Sequence, residues 1–71
     1  MKLQFSAVIE KGERFLIASC PEFPEANGQG KTRDEVLKDL AASIESVLAY
    51  RREEALAHAS PEAEKTVVVV G

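Results

Sequence analysis

One long apolar stripe at helical spacing does most to restrict how this chain can fold. Val36, Leu37, Leu40, Ala41, Ile44, Val47 and Leu48 recur three and four residues apart, with Lys38, Asp39, Glu45 and Ser46 on the opposite side. Thr32-Arg33-Asp34-Glu35 stands at its start as a capping box. The Thr32 hydroxyl can accept the Glu35 N–H, and the Glu35 carboxylate can reach back to the Thr32 N–H. Asp34 and Glu35 also suit the positive end of the helix dipole. After Tyr50 the pattern thins through Arg51-Arg52-Glu53-Glu54, and Ala55, Leu56 and Ala59 continue it weakly. The spacing predicts a helix from Thr32 to about Ala59, ended by Ser60-Pro61, because a residue before proline avoids helical dihedrals. A chain of 71 residues has room for one such helix, and one helix covers one face of a small sheet. Residues 1–71 therefore form a single domain.

The rest of the chain is built for strands. Leu3, Phe5, Ala7 and Ile9 alternate with Lys2, Gln4, Ser6 and Glu10, and Lys11-Gly12-Glu13 follows as a turn. Residues 14–20 are apolar on both faces, Phe15 and Ile17 opposing Leu16 and Ala18. The two segments predict an antiparallel hairpin. Pro21 and Pro24 bar a helix from the next stretch, with Phe23 between them as an anchor against the sheet. Residues 26–30 predict a short third strand, at an edge because its glycines weaken it. A short acidic connector at residues 61–65 leads to Thr66-Val67-Val68-Val69-Val70, an unbroken β-branched run with no polar side. The fold class is α+β: a sheet of three to four strands in the order β-β-β-α-β, with one long helix on one face. A right-handed crossover would lay the valine strand parallel to the first strand.

Chemistry-bearing residues are few. Nine Lys plus Arg against twelve Asp plus Glu give a net charge of −3, which argues against nucleic-acid binding by bulk electrostatics. Cys20 and His58 are the single cysteine and histidine, so neither an intrachain disulfide nor a four-ligand N/S zinc site can form. His58 suits the negative end of the helix dipole, and Cys20 reads as a buried thiol flanked by the acidic Glu22 and Glu25. Gly28-Gln29-Gly30-Lys31-Thr32 lacks the spacing of a phosphate loop and is explained by turn and cap chemistry. Glu10, Asp34, Asp39 and Glu45 read as solvated charges, and Arg51-Arg52 as a surface ion lattice balanced by Glu53-Glu54. No catalytic residues, metal or cofactor are expected, so the chain is not expected to be an enzyme. No apolar run is long enough to span a membrane, and the alternating N-terminus is unlike a signal peptide, so a cytoplasmic protein is expected.

Residues 5–48 carry a set of motifs in a recognisable order. Ile9-Glu10-Lys11 enters the hairpin turn. Pro21-Glu22-Phe23-Pro24, Gln29-Gly30-Lys31-Thr32 and Glu35-Val36-Leu37 follow. This arrangement resembles the N-terminal domain of the HicB-like antitoxins, whose hairpin ends in a Pro-x-Leu-Pro-Gly-Cys loop ahead of a Gly-x-Thr cap and a Glu-Ala-Leu helix start. Glu25 and Ala26 depart from the pattern, standing where the family usually has Gly and Cys. The family's C-terminal DNA-binding module has no counterpart before Gly71. The resemblance implies a partial ribonuclease-H-like domain that masks a small basic HicA-type mRNA interferase, with no direct contact to nucleic acid or membrane. It places the partner surface on Glu22, Phe23, Pro24 and Glu25, the exposed acidic pair meeting the basic toxin.

Apolar side chains on both sheet faces add an expectation about assembly. One helix leaves the second face in water, so a homo-oligomer is expected, a two-fold dimer being commonest. Its interface would use Phe15, Ile17, Val67 and Val69, on the uncovered face, the valine strand edge, or both. The alternatives to an antitoxin are an orphan structural homo-oligomer without a toxin partner and a small ribonuclease-H-like enzyme. The enzyme would need convergent carboxylates on adjacent strands, where only Glu10 is offered.

Overall fold

The structure, a computed structural model, describes residues 4–70. Three strands, β1 (Val8–Lys11), β2 (Leu16–Cys20) and β3 (Phe23–Gly30), form an antiparallel sheet in the order β1-β2-β3, followed by one helix, α1 (Arg33–Ala57). The fold is thus α+β, with the sheet and single long helix that the sequence implies.

The β1–β2 hairpin pairs Ile9 with Ala18 and Lys11 with Leu16, and the Gly12 N–H closes the turn on the Phe15 carbonyl at 2.8 Å. Ladder pairing begins only at Val8, later than the expected start. Residues 4–7 are tied to the sheet by side chains instead, and Leu3 lies outside the described residues. β3 is longer than expected and starts at Phe23. Cys20 pairs with Phe23, and the register shifts between Ser19 and Cys20, which lets Pro24 sit at an irregular strand end.

The core is a single layer between sheet and helix. Ala18, Cys20 and Ala26 face Val36, Leu40 and Ile44, all buried, with Ile9, Leu16, Phe23, Leu37 and Val47 packed around them. Leu16 and Ala18 point into this layer, and Phe15 and Ile17 point away from it. Leu48 does not join the core: it is exposed, and Val47 takes its place as the stripe turns onto the sheet.

The helix lies over β3 and β2, close against β3. Gly28 and Gly30 permit that approach. A Cβ on Gly28 would lie 2.5 Å from the Leu40 backbone nitrogen and 2.8 Å from the Val36 carbonyl oxygen. One on Gly30 would lie 2.8 Å from the Val36 nitrogen. These glycines belong to close helix–strand packing, which corrects the expectation that turn and cap chemistry alone accounts for them.

Thr32 caps the helix as expected, its hydroxyl accepting the Glu35 N–H at 3.1 Å. The return half of the box is shifted: the Glu35 carboxylate accepts from Lys31 N–H, at 2.9 Å, one residue before the cap. The helix ends at Ala57, slightly short of Ala59, with His58 as its C-cap. Ser60 then accepts the Ala63 N–H at 3.0 Å in a tight turn.

The expected fourth strand is absent from the sheet. Residues 64–70 belong to no ladder, and Val67, Val68, Val69 and Val70 are 83–91% exposed. Four β-branched residues favour extended backbone, but a strand also needs an edge to pair with. After the turn at residues 60–63 this segment lies beside Arg52, Ala55 and Leu56 of the helix instead.

Candidate interaction surface

Two patches gather the residues singled out above. The first surrounds the β2–β3 turn. Phe23 is half-buried, its ring edge-on to Phe5 at a centroid distance of 5.1 Å and an interplanar angle of 77°. The Arg51 guanidinium sits over the Phe23 ring, 4.8 Å from its centroid, and pairs with the Glu25 carboxylate at 2.5 Å. Pro24 is exposed between the two. Arg51 is therefore not part of a surface ion lattice with Glu53-Glu54. It follows Ile44 and Val47 on the sheet-facing side of the helix, a spacing that marks it as a residue aimed at the sheet.

Glu22 is bound on the same patch. Its carboxylate accepts the Ser6 N–H and the Ser6 hydroxyl, each at 2.9 Å, and the Cys20 thiol at 3.5 Å. The Ser6 N–H, followed by Glu22's own N–H, holds this carboxyl below the usual carboxylate range. Glu25 is lowered too, first by its own backbone N–H and then by Arg51. The expected acidic pair is thus less acidic as a surface than its sequence suggests. Glu25 is neutralised by Arg51, and Glu22 remains the free negative charge of the turn.

The second patch is the sheet face turned away from the helix. Val8, Phe15 and Ile17 are 41–50% exposed there. Phe15 and Ile17 line a shallow concavity of about 240 Å³ with Gly12, Glu13, Arg14 and Gln29. The structure therefore brings Phe15 and Ile17 together, while Val67 and Val69 lie on the C-terminal segment away from them.

The remaining candidates fall where packing or solvent accounts for them. Cys20 is fully buried. His58 stands 3.7 Å from Glu54 at the exposed helix end. Asp39 is no idle surface charge: it accepts the Gln29 N–H at 2.9 Å. Among the described residues no group of three His, Cys, Asp or Glu side chains could hold a metal ion. Among them, too, no helix is long and apolar enough to cross a membrane.

The described residues thus form a small sheet backed by one helix, with one apolar sheet face open. Comparison with known proteins supplies the family. The chain is 40% identical over 55 residues to the UPF0150 protein ssl0738 of Synechocystis sp., a match spanning 76% of each chain. It belongs to the UPF0150 family. No family model matches the chain, and no solved structure matches it.

Proposed function

We propose that this chain is a HicB-type antitoxin domain, a non-catalytic module that binds and masks a small basic HicA-type mRNA interferase in the cytoplasm. The observation that carries the reading is the sheet face left uncovered by α1, with Val8, Phe15 and Ile17 presented to solvent. Such a face suits the apolar centre of an interface. Membership of UPF0150 and the order of motifs through residues 5–48 agree with it. The net charge of −3 suits a basic partner. Glu22 supplies charge at the rim, beside Ser6.

The test is calorimetric binding of a small basic HicA-type interferase. Tight binding is expected, with Ile17→Lys weakening it by at least about tenfold, as for loss of a central apolar contact. Glu22→Lys should chiefly slow association at low salt. No binding, or binding indifferent to Ile17→Lys, would contradict the reading.

A further inference from the structure

The two edges of the sheet are treated differently. Along the outer edge of β3, Lys31, Gln29 and Asn27 donate their N–H groups to Glu35, Asp39 and Ser43 of the helix at 2.9, 2.9 and 3.2 Å. That edge is closed. Among the described residues nothing pairs with the outer edge of β1. An open edge is a template for another strand.

The same chain carries an unpaired strand-former. Val67, Val68, Val69 and Val70 are almost wholly exposed. They follow a helix that outruns its sheet: 25 residues of α1 span about 37 Å, against about 26 Å for β3. Arg51 meets Glu25 near the start of β3, so the later turns overhang the sheet. Tyr50 and Leu56 are exposed there, and residues 66–68 border a shallow concavity with Arg52, Ala55 and Leu56. Overhang and tail make an apolar arm outside the chain's own sheet.

Surface area states how much partner the arm lacks. A folded monomer of 7.7 kDa exposes about 4,300 Å². This chain exposes 6222 Å². The excess, about 1,900 Å² per chain, matches what each copy contributes to an obligate homodimer, whose interfaces bury roughly 2,000–5,000 Å² in all. The radius of gyration, 15.7 Å against about 11 Å for a compact chain of this length, points the same way.

We propose that residues 66–70 of one copy add as a strand to the outer edge of β1 in a second copy, and that the two copies exchange these arms. The open edge and the orphan strand then satisfy each other. Each exchanged arm brings Val67 and Val69 to the partner's sheet, where Phe15 and Ile17 lie. The proposal goes beyond the antitoxin reading and holds with or without a toxin.

The experiment is sedimentation equilibrium of the full chain at micromolar concentration, with hydrogen exchange on the same samples. The wild type should sediment as a dimer with the amides of Val8–Lys11 and residues 66–70 protected. Val68→Pro removes a ladder N–H and should raise the dimer dissociation constant at least about tenfold while leaving helical circular dichroism unchanged. Val70→Lys, which keeps the N–H, should weaken the dimer less. A monomeric wild type overturns the proposal. If that monomer shows both segments protected, the tail seats on its own β1. A dimer untouched by Val68→Pro overturns it equally, placing the contact elsewhere.

Discussion

The Asp39 carboxylate accepts the backbone N–H of Gln29 at 2.9 Å, fastening the second turn of α1 to the outer edge of β3. Glu35 and Ser43, one turn to either side, do the same for Lys31 and Asn27. The match is geometric. Four helical residues rise about 6 Å and two strand residues about 6.6 Å, so side chains four apart meet amides two apart. Asp39→Ala should lower stability by about 0.5–1.5 kcal/mol, the usual worth of one such bond, measured by urea unfolding. It should also raise the aggregation rate, because it reopens part of an edge. Unchanged stability and solubility would mean the bond is replaced by water without consequence.

Gly28→Ala should cost more than its small size suggests. The new methyl group meets backbone atoms of Val36 and Leu40, which cannot swing aside as a side chain could. Overpacking of this kind costs about 1–3 kcal/mol, or several degrees in Tm for a domain this small. Thermal unfolding followed by circular dichroism checks it, and a Tm equal to wild type would show that helix and strand stand further apart.

Ile44→Ala and Leu48→Ala separate the true core stripe from its neighbour. Ile44 is buried and should cost about 2–5 kcal/mol on truncation. Leu48 is exposed and should stay within about 0.5 kcal/mol of wild type in a monomer. Equal losses in the two variants would contradict the helix orientation.

Much of this was legible in residue order. The cap at Thr32, the period of Val36, Leu40 and Ile44, and the alternation around Ala18 are local signals, and local signals decide the helix and the hairpin. What was not legible depends on distant partners. Gly28 and Gly30 look like strand weakeners until the helix is laid across them. Arg51 has acidic neighbours in sequence, yet its partner is Glu25, 26 residues earlier. The valine run announces extended backbone and says nothing of which edge will receive it. The candidate surface shows the same division: Phe15 and Ile17 were placed by alternation, but the engagement of Glu22 by Ser6 needed the folded chain.

Acid should weaken the domain through the two carboxylates of the β2–β3 turn. Glu22 and Glu25 have carboxyl pKa values lowered in the folded state from the ordinary 4.5, Glu22 mainly by the Ser6 N–H and Glu25 by its own N–H and Arg51. Their contribution is therefore fully present above that pH and is lost as the pH falls through the folded values. Urea unfolding between neutral and strongly acid pH should show stability declining below about pH 4.5. Glu22→Gln should flatten that decline. A slope identical to wild type would show that the Ser6 contacts do not discriminate the charged form.

We propose that this domain acts by covering another protein. RNA cleavage by a small basic HicA-type interferase, titrated with this chain, tests that most directly. Cleavage should fall to background near stoichiometric addition and return when Ile17→Lys replaces the wild type. Cleavage that continues unchanged in excess wild-type chain would contradict the account.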